Sequence, residues 1–358
     1  MTSRSLIRLV SLWASLLAAL LPAAPTLSQP VARPVNRIVA IGDLHGDFEA
    51  YRAIIRAAAL VDRRDRWSAG RTIFVQTGDI ADRGPDSAKI IRHLMRLQRE
   101  AARAGGAVIA LVGNHEAMNV IGDLRYVHPG EYRAFIDHRS RERRALSYEA
   151  NEARIRALHL ARDPSLTAQQ IRAAWMRDTP LGAVEHRAAW HPDGEIGKWV
   201  SRNPAVALVQ GNLFVHAGIS LAFAGLSVAE INRRTREALV ARANAADSII
   251  NDPNGPLWYR GHVAGSAVSP AELALAAVDE IGIVLRAHDA QRLIIGHTPI
   301  EPEIQILHDG RLVLIDTGIS ASYGSHWSYL EILDGRVIAH SITPSPVASE
   351  TAARRSRR

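Results

Sequence analysis

Short apolar runs alternate with amphipathic stretches over the first third of the chain. "NRIVAIGD" (36–43) is apolar, β-branched and ended by glycine, which predicts a short buried strand. "DFEAYRAIIRAAALV" (47–61) predicts a helix with Asp47 as its N-cap. "RTIFVQTGD" (71–79) predicts a second strand. "DSAKIIRHLMRLQREAARAG" (86–105) carries apolar residues at 90, 91, 94, 95 and 97 on one side and predicts a second helix, stopped at Gly105. "GAVIALVGN" (106–114) predicts a third strand.

The polar residues that end these strands are evenly spaced. Asp43 and Asp79 lie 36 positions apart, and Asp79 and Asn114 lie 35 apart. That is the length of a strand–helix–strand crossover, which makes neighbouring strands parallel. Their carboxyl ends then share one sheet edge, where open α/β sheets bind ligands.

From about 120 to 200 no strand pattern is visible. "EYRAFIDHRSRERRALSYEANEARIRALHLARD" (131–163) is arginine-rich and helical in character, so this stretch reads as a helical insertion beside the site or as a solvated subdomain. "PAVALVQGNLFVHAG" (204–218) holds two apolar runs around Gly211-Asn212, a tight-hairpin signal. A helix is expected over 226–246 and a loop at "GPLWYRG" (255–261). "EIQILHDGRLVLIDTG" and "YLEILDGRVIAHSI" each hold Asp-Gly between apolar runs, so both predict hairpins and the second half reads as largely antiparallel.

The N-terminus has the plan of an export signal. Arg4 and Arg8 precede or open an apolar run, "LVSLWASLLAALL", of thirteen residues without charge, followed by the small and proline-rich "PAAPTLSQPVARP". A transmembrane span needs roughly twenty residues. Residues 1–30 are therefore expected to be a cleaved signal peptide of a secreted, periplasmic protein with no stable membrane insertion afterwards; an uncleaved anchor is the alternative. Residues 36–345 are expected to form the catalytic domain, and 346–358 a disordered basic tail. The formal net charge is +7, and Arg354, Arg355, Arg357 and Arg358 supply four of those charges. The body is close to neutral, which gives no support for nucleic-acid binding. There is no cysteine, which excludes disulfides, thiolate nucleophiles and thiolate metal sites.

The chemistry lies at the strand ends. "GDLHGD" presents Asp43 and His45, "GDIADRG" presents Asp79, Asp82 and Arg83, and "GNHE" presents Asn114 and His115; "FVHAG" and "IGHTP" add His216 and His297. Carboxylates brought together from separate strands repel one another by several kcal/mol unless a cation neutralises them. Carboxylate, imidazole and amide oxygen suit Mn, Fe or Zn. So many donors exceed the four that one zinc takes and suit two ions about 3.5–4 Å apart with a bridging carboxylate. Taken singly, each Asp or Asn could instead serve only as a cap or turn residue.

"GDLHGD", "GDIADRG" and "GNHE", in this order and followed by "VHAG" and "GHT", resemble the calcineurin-like metallophosphoesterases. "DRG" and "GNHE" resemble the phosphoprotein phosphatase branch, and "GNHEAMNVIGDLRYV" with "GPLWYRG" is similar to the bacterial Shewanella-like phosphatases. The resemblance runs from about 37 to 325. It implies an α/β fold, a four-layer α-β-β-α sandwich. It implies that Asp43 and His45 hold one metal, Asp79 bridges, and Asn114, His216 and His297 hold the second. His115 is similar to the general acid, Asp82 to the carboxylate that orients it, and Arg83 to a phosphate clamp. The implied mechanism is direct attack of a metal-bridging hydroxide. Val112 stands where the eukaryotic Ser/Thr enzymes of the branch carry arginine before "GNHE"; Arg260 is the candidate replacement, and Tyr323 in "ISASYGS" a candidate lining residue.

The expected substrates are phosphorylated proteins or small phosphomonoesters, on tyrosine or on serine and threonine. Two other readings use the same residues: a phosphodiesterase or diadenosine polyphosphate hydrolase on this metal centre, and a non-catalytic envelope protein that binds metal or phosphate.

Overall fold

A computed structural model describes residues 37–263, 270–299 and 301–343. The expected signal peptide and basic tail lie outside them. The first strands and helices follow the sequence pattern: β1 (Arg37–Ile41), α1 (Phe48–Ala57), β2 (Ile73–Gln76), α2 (Ser87–Arg103) and β3 (Ala107–Ala110). Asp47 caps α1 by accepting the Ala50 N–H at 3.0 Å. α3 (Asn114–Ile121) then begins at once, so "GNHE" forms a strand-to-helix turn and not only a strand end. A 3₁₀ turn (Glu131–Phe135) follows, and then α4 (Ser140–Leu160), α5 (Ala168–Asp178), α6 (Ala183–Trp190) and α7 (Glu195–Val200), with no strand between 120 and 200.

The second half contains β4 (Val206–Val209), β5 (Asn212–Val215), the short α8 (Leu221–Ala224), α9 (Val228–Val240) and α10 (Pro270–Ala287). β6 (Arg292–Ile295), β7 (Gln305–Leu307), β8 (Leu312–Leu314), β9 (Trp327–Leu333) and β10 (Arg336–Ile342) complete it. Two expectations need correction here. The tight turn is Gln210-Gly211, with φ of 49° and 75°, and Asn212 already pairs with Val209. The half is largely antiparallel as expected, through β4–β5, β7–β8 and β9–β10, but β6 departs from that pattern and runs parallel to both β5 and β8. α10 supplies the crossover; its sequence, "PAELALAAVDEIGIVLRA", is apolar on too many sides to give a helical stripe. The two Asp-Gly hairpins form as expected, β7 with β8 and β9 with β10.

The strands make two five-stranded sheets, ordered β10-β9-β1-β2-β3 and β4-β5-β6-β8-β7. Side-chain alternation along each strand sorts the core into layers. Ile38 and Ala40 of β1, Val75 of β2 and Leu330 and Ile332 of β9 pack against Phe214, Ile294 and Val313 of the other sheet. The intervening Val39 and Ile41 face α1 and α2, while Leu213, Val215, Leu293 and Ile295 pack with α9 and α10. The fold is thus the expected α/β sandwich of two mixed sheets flanked by helices. Among the described residues no helix is long and apolar enough to cross a membrane.

Register places the site. Ile41, Gln76 and Ala110 form one row across three parallel strands, and Asp43, Asp79 and Asn114 emerge two, three and four residues beyond it. Val215 and Ile295 are paired, and His216 and His297 follow them by one and two residues. Each sheet therefore delivers its polar groups to the same end of the sandwich.

The helical segment has a buried titratable group of its own. His186 in α6 is ringed by Tyr132, Phe135 and Trp190 at centroid distances of 5.2, 5.1 and 6.0 Å. Burial, with Arg187 adding to it, pushes its pKa from 6.5 down to about 3. The unfolded chain takes up this proton below pH 6.5 and the folded chain does not. The contribution is therefore complete above pH 6.5 and is lost as pH falls toward 3, by up to about 1.4 kcal/mol per pH unit. Urea unfolding of His186→Phe across that range should show a flatter acid decline than the parent, and an unchanged slope would refute the assignment.

Candidate metal centre

The turns that carry the polar groups are conformationally expensive. His45, Asp79, Asp82, Arg83 and His297 all have positive φ, between 44° and 71°. Each such residue costs about 1–3 kcal/mol unless its surroundings over-determine it. The surroundings here are backbone hydrogen bonds and one carboxylate. Leu44 and His45 N–H both donate to Asp79 O at 2.9 Å, which ties the first turn to the second. Glu116 accepts from the N–H groups of Asp79, Ile80, Ala81 and Gly113 at 2.8–3.0 Å, which ties the second turn to the third. Two glycines are needed for space: a Cβ at Gly113 would collide with Asp79, and one at Gly296 with Asp43.

Within this frame Asp43, His45, Asp79, Asn114, His115, His216 and His297 are all buried and close together. His216 Nδ1 donates to Thr77 O at 2.9 Å, which leaves Nε2 as the ring nitrogen turned into the cluster. That atom faces Asn114 Oδ1 at 3.0 Å, His297 Nδ1 at 3.1 Å and Asp79 Oδ1 at 3.3 Å. His45 Nδ1 is likewise turned to Ala81 O at 3.1 Å, leaving Nε2 4.0 Å from Asp43 Oδ2 and 3.9 Å from Asp79 Oδ2. His45, Asp79 and His115 can bring donor atoms within 4.8 Å of one another, and so can Asp79, His216 and His297. Asp79 belongs to both groups.

The charges in this cluster call for a cation. Burial, then Asp316 and Asp79, push the Asp43 carboxyl well above its ordinary pKa. Burial, with Asp79 adding to it, raises Asp316 to about 7. Burial would also raise Asp79, yet His216, His115 and His45 hold it well below the usual range. Burial and then His216 drive His297 down to about 2, and its Nε2 has no partner among the described residues. Lone pairs converging on one space, several buried carboxylates and an orphaned imidazole nitrogen fit divalent metal ions. Asp43, His45, Asp79, Asn114, His216 and His297 could hold them.

His115 is placed differently from the other histidines. Its Nδ1 bonds Asp82 Oδ2 at 2.7 Å, its N–H donates to Asp79 Oδ1 at 3.0 Å, and its Nε2 stands 3.8 Å from Asp79 Oδ2. Burial would lower its pKa, but Asp79 and then Asp82 raise it above the ordinary value. Asn119 Nδ2 donates to the other Asp82 oxygen at 2.9 Å, so Asp82 is fixed at both ends. Arg83 stacks over Tyr126 at 4.0 Å and lies 5.9 Å from Tyr323, whose ring is 5.1 Å from that of His45. Arg260 Nη1 donates to Thr298 Oγ1 at 2.6 Å and approaches His297 O at 3.5 Å. Every residue singled out in the sequence thus lies in or beside one cluster.

Sequence reasoning missed four neighbours of the site. Asp316 follows β8 just as Asp43 follows β1, so the strand-end rule applied to "VLID" would have found it. Asn119 is one helical turn from His115 on α3 and was hidden by reading "GNHE" as a strand end. Tyr126 and Trp258, whose ring is 6.0 Å from that of His297, stand in "GDLRYV" and "GPLWYRG", where the sequence assigns them no role.

The profile of calcineurin-like phosphoesterases matches residues 36–301. Shewanella-like protein phosphatase 2 of Arabidopsis thaliana is 31% identical over 295 residues, which are 80% of this chain and 72% of that protein. Shewanella-like protein phosphatase 1 of Plasmodium berghei is 29% identical over 313 residues, 85% of this chain and 74% of that protein. The crystal structure of a cold-active protein-tyrosine phosphatase from a psychrophilic Shewanella species shares the fold, with a TM-score of 0.62 at 22% identity over 87% of this chain and 81% of that one.

The Glu116 clamp gives a test of the centre. Glu116→Gln keeps the size but points an amide donor at N–H groups that need an acceptor. It should weaken metal binding roughly 10–100-fold, read as metal retained against a chelator series, and should lower the melting temperature. Unchanged metal retention in the folded variant would show that the clamp does not hold the ligands.

Proposed function

The chain belongs to the calcineurin-like phosphoesterase family and is a phosphoric ester hydrolase, and on that premise we propose that it removes phosphoryl groups from phosphomonoesters, chiefly phosphoproteins carrying phosphotyrosine, phosphoserine or phosphothreonine. The observation that carries this reading is the sharing of Asp79 between two groups of converging donors. That arrangement supports a pair of ions, of Mn, Fe or Zn, with Asp43 and His45 on one side and Asn114, His216 and His297 on the other. Bound there, such ions would lower the pKa of water and offset charge on phosphoryl oxygens.

The chain's own groups do the rest. Arg83, and Arg260 from the side of His297, supply positive charge to the equatorial oxygens as water attacks phosphorus in line and the ester P–O bond breaks. His115 gives its Nε2 proton to the departing oxygen, so that an alcohol or phenol leaves and no charge is stranded. Asp82 holds the Nδ1–H and stabilises the imidazolium, the form whose Nε2 carries the proton to be given, and Asn119 holds Asp82. The similarity to Shewanella-like protein phosphatases supports protein substrates, and the basic and apolar leader supports export to the periplasm.

Metal-loaded protein should hydrolyse p-nitrophenyl phosphate and phosphopeptides much faster than bis-p-nitrophenyl phosphate, with elemental analysis giving two ions per chain. A preference for the diester would replace this reading with a phosphodiesterase. Asp43→Asn should lose metal and turnover together while the circular dichroism spectrum stays the same. His115→Asn should keep metal but lose roughly 10²–10⁴-fold in kcat on a phosphoserine peptide. Its loss on p-nitrophenyl phosphate should be smaller, because p-nitrophenolate leaves without help from an acid. Equal losses on both substrates would remove His115 from the acid role.

A further inference from the structure

No ion pair holds Arg83 among the described residues. Its Nε is buried with no hydrogen-bond partner among the described residues. Its backbone is left-handed, with φ of 64°. What touches the guanidinium is aromatic: the Tyr126 ring lies 4.0 Å from its central carbon and the Tyr323 ring 5.9 Å. The backbone is held from the same place, since Arg83 N–H donates to Tyr126 O at 3.0 Å. Tyr126 also leans on the proton donor, with its ring 5.2 Å from that of His115 at 45°.

A carboxylate in this position would fix the guanidinium by occupying its N–H groups and cancelling its charge. A ring face fixes the plane and does neither. The other cation near the ring, Arg125 at 5.8 Å, is engaged by both oxygens of Asp123 at 2.9 Å and does not compete. We propose that Tyr126 is the positioning residue for Arg83, holding the guanidinium by its ring face beside the metal centre with the N–H groups left for phosphoryl oxygens. The proposal rests on the phosphatase reading above and assigns a task to the segment that joins α3 to the helical insertion.

The test uses full-length, metal-loaded protein and two readouts. Tyr126→Leu should raise KM for p-nitrophenyl phosphate, and the Kd for inorganic phosphate measured by calorimetry, by about 3- to 30-fold, the worth of one cation–π contact. The change in kcat should be smaller than the change in KM, and metal content should be unchanged. Tyr126→Phe, which keeps the ring and loses the hydroxyl, should restore both constants. In an Arg83→Ala background Tyr126→Leu should add little, because the two groups act as one unit. If Tyr126→Leu does not fold, Tyr126→Met carries the same expectation. A folded non-aromatic variant with unchanged KM and phosphate Kd overturns the proposal, and so does a Tyr126→Phe variant as impaired as Tyr126→Leu. Phosphate binding is read without turnover, so a parent protein that cleaves diesters instead of monoesters would defeat the phosphatase reading while leaving the calorimetric comparison decisive for Tyr126.

Discussion

A carboxylate that must serve two groups of ligands at once has little freedom, and Asp79 is in that position. It is 2% exposed, sits at φ of 52°, and has imidazoles on both sides. If it moved by the width of an atom, the His45 side and the His216 side of the cluster would separate. The first sheet cannot hold it alone, because His216 and His297 reach it from β5 and β6 of the second. The sandwich is therefore a device for bringing two strand edges to one carboxylate, and the apolar layer between the sheets sets their separation.

Strain in the turns follows from the same requirement. Five site residues adopt left-handed backbone to aim their side chains inward. An unbound carboxylate, Glu116, offsets that cost from beneath by gathering four N–H groups from two turns. Its position at the first turn of α3 lets one side chain serve as helix N-terminal anion and as clamp. The arrangement accounts for the one acid of "GNHE", which stands beside the donor cluster with its lone pairs spent on backbone N–H groups.

The centre was readable because strand ends are marked twice, by a glycine and by a polar residue after an apolar run. The even spacing of Asp43, Asp79 and Asn114 gave the parallel crossovers, and the register of β1, β2 and β3 carries those residues to one edge. The signal weakened where structure is set by distant packing. Gln210 adopts positive φ although glycine and asparagine were the better local candidates, because Asn212 is needed to bond Val209 O and Gln210 O with its side chain. α10 carries apolar residues on too many sides to give a helical stripe, and without it the parallel pairing of β5 with β6 could not be anticipated. Asp316 was masked by the hairpin signal that surrounds it.

The helical insertion is joined to the chemistry by few but specific contacts. Glu131, in its 3₁₀ turn, accepts the Ser87 and Ala88 N–H groups at 2.8 and 2.9 Å and so caps α2 from outside. Ser87 Oγ in turn accepts the Asp82 N–H at 3.2 Å. Tyr126, at the other side of the same turn, receives the Arg83 N–H. Asp82 and Arg83 therefore have their backbone N–H groups held by bonds that lead into the segment after α3. A loop with two consecutive left-handed residues would otherwise relax, and the Asp82 and Arg83 side chains would relax with it. The segment after α3 thus bears on the site through the backbone it supports.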